Sequence, residues 1–597
     1  MARLSLSALL CGVVLVNAGI DRGTASADAG AMAHSSRQHQ TNGGPAGSVP
    51  TLVSSTFLGS SYNNATSGIT LDNEGNLFVC GFGRLTDPAF PAPTFLGPCN
   101  DTGGYLAKFD PTGAPVFVTY LGGSHNNALI GIAVDQTGAL YVAGGTSSPD
   151  FPLVAPPLLS NGFTGFDLFV AKLAPDGQSI VYSALLGSVD QGNGGRLALD
   201  ATGAVYLTGT TQSDDFPIVG GFQSEPGGYR DAFVVKIEAD GSRVAYSSRL
   251  GGIGFDQGWD IAVDALGRAF VAGWTSDPTG FPIVNPAIPV IARQRDQVFV
   301  TVVAANGGSV VSSSILGGQK DDRAFGIAVD AVGDAYVTGS ADKGFPVRNA
   351  FQRDQKAFSE EAFLTKLHFS PSSTEIVFST FLGGTSSDDG LAIAVGPDQA
   401  PVVVGYTVSR DFPLSRAIQS VIAIDPQFSQ PGEDLFITRF SPSGQSLTFS
   451  TYYGGKRSEL PDRVAVSNTG EIFVSGSTDS KDFPIRRAIQ SEFGDVSRHG
   501  ILVRISPVRP PTIKTTLAIE KPGKPLRIRI KGSDFEPGVE VYVDGDELSW
   551  PGVRLKGSST LTLSGGDALA LRFPVGVRVL LRVVNPDGGQ TYGSLTR

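Results

Sequence analysis

The sequence predicts an all-β protein built from one repeated sheet, and three observations support this prediction. First, the 597-residue chain has 76 glycines and only 17% charged residues, which suits many short strands joined by tight turns. Second, a Leu-Gly or Tyr-Gly pair and a Phe-Pro pair each occur seven times, in step, at intervals of 61 to 71 residues. Third, each interval contains four strand-like runs. Four short strands repeated radially predict a β-propeller, here with seven blades of about 65 residues.

Two anchors mark every repeat. The glycine anchor follows Leu58, Leu121, Leu186, Leu250, Leu316, Leu382 and Tyr453. The Phe-Pro anchor begins at Phe90, Phe151, Phe216, Phe281, Phe345, Phe412 and Phe483. Because Pro fixes its own φ and Phe is large and apolar, we expect this pair to be structural, with Phe packed between blades.

The repeat between the anchors has a consistent turn. Five repeats place Asp three residues before Gly, at Asp72, Asp135, Asp200, Asp264 and Asp330. This spacing predicts an Asx-type turn that ends in a residue with positive φ. The sixth repeat, Gly396 to Gln399, and the seventh, Ser467 to Gly470, depart from the pattern, so their turns are expected to differ.

The two ends of the repeat region predict ring closure. Residues 51–58 form only the second strand of a hairpin, and the matching first strand is 501–505, which has no later partner. Pairing the two completes a seventh hairpin and removes two exposed strand edges. We therefore assign 51–507 to a closed seven-bladed propeller.

The repeats resemble a known family. The segments from Ser379 (STFLGGTSSDDGLAIAV) and from Gly326 (GIAVDAVGDAYVTGSADKGFP) look like the bacterial seven-bladed β-propeller repeat, abbreviated SBBP. The turn pattern is also similar to NHL-type propeller repeats. The resemblance implies an extracellular or envelope propeller and no established activity.

Residues 508–597 predict a second domain after a proline-rich linker at 506–511. Strands are expected at 526–530, 539–543, 560–563, 568–573 and 577–584, which suits an immunoglobulin-like β-sandwich. Gly532, Phe535 and Gly538, with Asn585 to Gly588, resemble the IPT/TIG domain. Such domains are usually spacers or adhesive modules.

The first 27 residues predict export. A positive start, an apolar run from Leu4 to Val16 and a small-residue site at Ala27 are typical of a secretory signal peptide. A retained N-terminal anchor is the alternative. Residues 28–50 predict a flexible leader, and no other run is long enough to span a membrane. We expect the mature chain to be extracellular or in the cell envelope, and monomeric. In that compartment Cys80 and Cys99 are expected to form a disulfide, the alternative being two separately buried thiols.

The net charge and the lack of familiar catalytic motifs argue against two classes of function, nucleic-acid binding and catalysis. The net charge is −11 without a basic run, so a nucleic-acid partner is not expected. The sequence contains no nucleophile elbow, no zinc-protease motif and no Cys-x-x-Cys pair. The sequence therefore predicts a non-enzymatic protein without a bound metal or cofactor.

Two repeated positions are candidate ligand sites. Polar side chains follow the glycine anchor at nearly the same offset: Asn64, Asn127, Asp190, Asp256, Asp322 and Asp388. They could hold Ca²⁺ or sugar hydroxyls, or each could cap its own loop. A second position, six to nine residues before Phe-Pro, holds aromatics in three repeats, at Phe82, Trp274 and Tyr406. These could stack on a sugar or anchor a protein, or pack beneath the following loop.

The sequence thus favours a secreted or cell-surface binding or adhesion protein. Its propeller would recognise a glycan or protein ligand. A propeller lyase or glycan hydrolase using loop carboxylates and a purely structural envelope spacer are the alternatives.

Overall fold

The chain divides into two compact units, 49–507 and 508–597. The structure is a computed structural model that describes residues 50–59, 65–83, 85, 89–99, 103–154, 165–188, 194–214, 216–291, 293–425, 430–494, 497–506, 512–521, 524–533, 535, 538–543, 549–584 and 590–597. It is nearly all-β, with 54% strand and 2% helix. The predicted signal peptide and leader, Asn64, Asp190 and Asn585 to Gly588 lie outside these residues. No helix in the described part of the chain is long and apolar enough to cross a membrane.

The described residues of the first unit form seven large sheets, numbered here along the chain, whose strands are antiparallel except for one parallel pair in sheet 1. Strand β1 is Thr51–Leu58, and sheets 1 to 3 follow it. Sheet 1 contains β2 (Ala65–Leu71), β3 (Leu77–Phe82), β4 (Thr94–Leu96), β5 (Gly104–Phe109) and β6 (Pro115–Leu121). Sheet 2 contains β7 (Asn127–Val134), β8 (Leu140–Thr146), β9 (Asp167–Leu173) and β10 (Ile180–Ser188). Sheet 3 contains β11 (Gly194–Leu199), β12 (Val205–Thr211), β13 (Asp231–Ile237) and β14 (Val244–Leu250).

Sheets 4 to 7 continue the series. Sheet 4 contains β15 (Asp256–Val263), β16 (Ala269–Thr275), β17 (Gln297–Val303) and β18 (Val310–Leu316). Sheet 5 contains β19 (Arg323–Val329), β20 (Ala335–Ala341), β21 (Glu361–Ser370) and β22 (Ser373–Leu382). Sheet 6 contains β23 (Asp388–Val395), β24 (Pro401–Thr407), β27 (Asp434–Phe440) and β28 (Leu447–Tyr453), with a short pair, β25 (Ile424–Asp425) and β26 (Gln430–Pro431), in one loop. Sheet 7 contains β29 (Glu459–Val466), β30 (Ile472–Thr478), β31 (His499–Ser506) and β1.

The first strands of the sheets contact one another in a closed cycle. Each first strand contacts that of the next sheet, and β29 contacts β2 to complete the cycle. The predicted pairing of the two ends of the repeat region is present, since β1 pairs with β31 from Thr51↔Ser506 to Leu58↔Gly500. This arrangement is consistent with a β-propeller.

The Phe-Pro anchors lie in the cores between sheets. Phe345 is 4% exposed and lies 4.5 Å from the ring of Phe363 on its own sheet. The same core contains Phe270 and Val298 from sheet 4. Each anchor therefore joins two neighbouring sheets through apolar contacts.

The predicted turns with positive φ are present. In the fifth repeat, Asp330 Oδ1 accepts hydrogen bonds from the backbone N–H groups of Val332 and Asp334, and Gly333 has φ of 87°. The sixth turn places Gln399 at the equivalent position, with φ of 63°. A side chain is disfavoured in this left-handed region.

We therefore expect Gln399→Gly to stabilise the chain by about 0.5–1 kcal/mol. Gly333→Ala at the matching turn should destabilise it by about 1 kcal/mol or more. Urea midpoints of the two variants measure both effects. A loss of stability in Gln399→Gly would contradict this account of the turn.

The predicted disulfide is wrong, because Cys80 and Cys99 are both free and buried. Cys80 packs with Phe78 in the core toward sheet 2. Cys99 packs with Leu77 and Val79 on the opposite face of β3. Alternating strand residues point to opposite faces, so sheet 1 separates the two thiols.

The second unit contains two sheets and one helix among its described residues. One sheet has the order β32 (Thr512–Lys521), β33 (Lys524–Ser533), β36 (Thr560–Ser564) and β35 (Val553–Lys556), and the other has the order β34 (Glu540–Val543), β37 (Arg578–Val584) and β38 (Gln590–Thr596). The predicted strand at 568–573 is wrong, because helix α1 spans Gly566–Arg572. Its Ala and Leu residues favour a helix, and Leu569 and Phe573, four residues apart, both enter the core.

Candidate functional site

The first strands position charged side chains across the axis of the first unit. All seven strands shift register at the same place, between Thr66 and Gly68, Leu129 and Gly131, Gly194 and Arg196, Gly258 and Asp260, Ala324 and Gly326, Gly390 and Ala392, and Pro461 and Arg463. Four of the residues after the shift are Gly or Ala, and the other three are Arg196, Asp260 and Arg463. The small residues leave room for the long side chains.

These charged side chains connect sheets that are not adjacent. The guanidinium of Arg463 on sheet 7 donates to both carboxylate oxygens of Asp260 on sheet 4, at 3.1 and 3.0 Å. Arg196 on sheet 3 donates to the carbonyl of Ser67 on sheet 1 at 2.8 Å. The axis is therefore crossed by hydrogen-bonded side chains at this level.

The predicted polar ring lies at the loop ends of the first strands, and its described members bond to their own loops. Asp388 accepts from Gly384 N at 2.9 Å and from the hydroxyls of Thr407 and Ser409. Asn127, Asp256 and Asp322 accept from the backbone N–H of Gly123, Gly252 and Gly318, respectively. These contacts are those of loop caps. In the described part of the chain, no group of three or more His, Cys, Asp or Glu side chains could hold a metal ion.

Two ring residues, Asp256 and Asp388, and Glu459 at the equivalent position of sheet 7 belong to buried pairs of carboxyls that the sequence analysis missed. A Cβ atom on Gly251 would lie 2.3 Å from Asp231 Oδ1 and 2.8 Å from Asp256 Oδ2, so the anchor glycine fits between the two carboxyls. Glu361 with Asp388 flanks Gly383, and Asp434 with Glu459 flanks Gly454, in the same way. Burial, reinforced by the partner carboxyl, raises the pKa of Asp256 and Asp388 to about 7 and that of Glu459 to about 8.

Two predicted aromatic residues belong to a cluster that we call the mouth cluster, comprising Trp274, Arg323, Glu360, Asp389 and Tyr406. The guanidinium of Arg323 lies 5.4 Å from the centre of the Trp274 ring and donates to Asp296 at 2.6 Å. Tyr406 Oη donates to Asp389 Oδ2. Trp274 and Tyr406 are both half-buried, so each is accessible from solvent.

The mouth cluster is electrostatically unusual. Burial and the nearby Asp389 carboxylate raise the pKa of Glu360 to about 7, against the effect of Arg323. Burial also raises the pKa of Asp389, and Asp389 Oδ1 is buried without a hydrogen-bond partner. Such perturbed carboxyls cluster at functional sites.

The carboxyls continue beyond the mouth cluster toward sheet 7. Burial raises the pKa of Glu433 and raises that of Asp462 to about 7, although Arg196 and Arg463 act in the opposite direction. Glu433 Oε2 and Asp462 Oδ2 are also buried without hydrogen-bond partners. Three carboxyl oxygens along this arc are therefore buried and unpaired.

Phe82 lies in the same register as Trp274 and Tyr406 but on sheet 1. It pairs with Ala65 on the first strand, as Trp274 pairs with Gln257 and Tyr406 with Asp389. Phe82 thus occupies the position in its own repeat that Trp274 and Tyr406 occupy in theirs. Only Trp274 and Tyr406, however, lie on sheets 4 and 6, on either side of Arg323 and Glu360 of sheet 5.

Comparisons with solved structures show likeness of fold alone. A protein of unknown function from Dyadobacter fermentans matches with 9% identity and a TM-score of 0.34, over 76% of this chain and 98% of the other. Quinohemoprotein alcohol dehydrogenase from Comamonas testosteroni matches with 9% identity and a TM-score of 0.35, over 79% and 78%. Acylaminoacyl peptidase from Pyrococcus horikoshii matches with 8% identity and a TM-score of 0.34, over 78% and 58%. No protein-family profile and no curated protein sequence matches the chain.

The prediction that the chain is not an enzyme is contradicted by these comparisons. The similar solved structures include dehydrogenases and a peptidase. At such low identity, the neighbours' reactions are not transferred to this chain.

Proposed function

We propose that the chain is an exported glycan-recognition protein whose ligand binds at the mouth cluster. In this proposal the seven sheets are the blades of a seven-bladed propeller, and 508–597 form an immunoglobulin-like domain. The resemblance of the repeats to the SBBP family and the signal-peptide pattern at residues 1–27 support the extracellular or envelope location.

One observation carries the proposal: two accessible aromatic side chains lie beside carboxylate oxygens that have no hydrogen-bond partner. An aromatic ring offers an apolar face to the C–H groups of a sugar. Asp389 Oδ1 is buried and unpaired, so a sugar hydroxyl that reaches it when the neighbouring side chains move would relieve the cost of leaving it unsatisfied. A neutral or cationic glycan fits this carboxyl-rich site better than an anionic one.

A glycan array probed with the full chain tests the proposal, followed by titration of the best ligand. We expect Trp274→Ala to weaken binding at least tenfold, because buried aromatic anchors dominate such interfaces. Tyr406→Phe keeps the ring and removes its hydrogen bond to Asp389, so it should weaken binding less.

Phe358→Ala is the matched control, since Phe358 lies outside the mouth cluster and is 99% exposed in the loop between β20 and β21, and its binding should equal that of the unsubstituted chain. Failure of the full chain to bind any glycan, or equal binding by Trp274→Ala, would overturn the proposal.

A second candidate is cleavage of the bound glycan, favoured by the half-buried Glu360. A carboxyl whose pKa is about 7 is suited to give a proton to a leaving oxygen at neutral pH. Release of new sugar ends from the ligand by the full chain, abolished by Glu360→Gln with binding retained, would identify this activity. Intact ligand after prolonged incubation would exclude it.

A further inference from the structure

The second unit carries a basic surface that the overall charge of the chain conceals. Residues 508–597 contain 13 lysines and arginines against nine aspartates and glutamates, a net charge of +4 in a chain of −11. The cations concentrate on the outward face of the four-stranded sheet, which we call the basic face. Its charged residues are Arg527, Arg529, Lys531, Arg554 and Lys556, all exposed.

Strand alternation places these five residues on one side of the sheet. On β33, Leu526, Ile528 and Ile530 are buried in the core of the unit, so the residues between them point outward. On β36, Leu561 and Leu563 are buried in the same core, and Thr560, Thr562 and Ser564 share the outward face with the cations.

The strand register aligns the cations in two rows. Arg529 pairs with Thr562, which pairs with Arg554 on the far side. Lys531 pairs with Thr560, which pairs with Lys556. With strands spaced about 4.8 Å apart, the two cation rows are about 10 Å apart, and successive cations along a strand are about 7 Å apart. The short hydroxyl side chains between them form the floor of a trough.

None of the five cations forms an ion pair with a carboxylate of a described residue. By contrast, arginines of the first unit are paired, as Arg323 is with Asp296 and Arg498 with Asp479. Five like charges held together without a carboxylate partner among the described residues repel one another. A bound polyanion would remove this repulsion.

We propose that the basic face binds a linear acidic polysaccharide, with the chain running along β36 between the two cation rows. Guanidinium groups match carboxylates in a two-pronged geometry, and the threonine hydroxyls bond to sugar oxygens. A single-stranded nucleic acid fits less well, because the described residues of the face include no aromatic side chain for base stacking. A lipid surface fits less well because Leu517 is the only exposed large apolar side chain of this face among the described residues. The proposal is independent of the mouth cluster, which favours neutral or cationic ligands.

Titration of the full chain with polygalacturonate tests the proposal. We expect Arg529→Ser combined with Arg554→Ser to weaken binding at least tenfold, and added salt to weaken binding by the unsubstituted chain. Lys531→Ser with Lys556→Ser removes the other pair and should act in the same direction. The charge-matched control, Arg572→Ser with Arg578→Ser, lies on α1 and the three-stranded sheet and should bind like the unsubstituted chain. Trp274→Ala should also leave this binding unchanged.

The comparison ligands decide the class of partner. The two basic-face double substitutions should not change the affinity for neutral dextran, and oligothymidylate and phosphatidylserine vesicles should bind more weakly than polygalacturonate. Equal weakening by the control pair, an equal effect of the basic-face substitutions on dextran, or tighter binding of the oligonucleotide or the vesicles would overturn the proposal.

Discussion

Phe345→Ala should lower the free energy of unfolding by about 3–5 kcal/mol, the range for removal of a buried phenylalanine. Phe345 is 4% exposed and packs against Phe363 and Phe381. Its core also includes side chains of sheet 4, so the substitution opens a cavity between two sheets. A urea titration and a thermal melt measure the loss.

Phe358→Ala is the matched control for this prediction. The two phenylalanines lie in the same loop between β20 and β21, but Phe358 is 99% exposed. Its replacement should change stability by no more than about 0.5 kcal/mol. Similar melts for the two variants would contradict the assignment of the Phe-Pro anchors to the cores between sheets.

The thermal midpoint should rise as the pH falls from 8 to 5.5. The buried carboxyls have pKa values raised to about 7 for Asp256, Asp388 and Asp434, above the ordinary value of 3.8 that applies when the chain unfolds. The folded chain therefore binds more protons than the unfolded chain in this range. This contribution to stability is fully present below pH 3.8 and is lost as pH rises through 7.

The expected change in the free energy of unfolding with pH is large. One such carboxyl contributes about 2 kcal/mol between pH 8 and 5.5. Asp388→Asn should therefore flatten the pH dependence, because the amide cannot ionise. Asp110→Asn is the control, since Asp110 is exposed and hydrogen bonds to Thr112 lower its pKa, which leaves it ionised throughout the range. A midpoint that is constant or falls between pH 8 and 5.5 would contradict the account.

Periodicity made much of the fold predictable. The glycine and Phe-Pro anchors recur because every sheet repeats the same close contact and the same core position. The pairing of β1 with β31 followed from counting incomplete hairpins. Two local predictions failed for physical reasons: alternation across β3 separates Cys80 from Cys99, and Leu569 and Phe573 have helical spacing that was interpreted as a strand.

The candidate site was less predictable, because its residues do not repeat. Trp274 and Tyr406 were found by comparing equivalent positions across repeats. Arg323 and Glu360 are not marked by the repeat pattern. Their proximity to Trp274 and Tyr406 depends on which sheets are neighbours in the cycle. Asp389 follows Asp388 in sequence, but the two side chains point to opposite faces of β23, so Asp388 caps its loop while Asp389 bonds Tyr406.

Hydrogen exchange of the full chain, with and without its best glycan ligand, tests the central claim most directly. Binding at the mouth cluster predicts added protection at the strand ends 256–258, 273–275, 388–390 and 405–407, which contain Trp274, Asp389 and Tyr406. The turns at the opposite ends of these strands should not change. Protection confined to those turns, or to 512–596, would show that the glycan binds elsewhere and would contradict the claim.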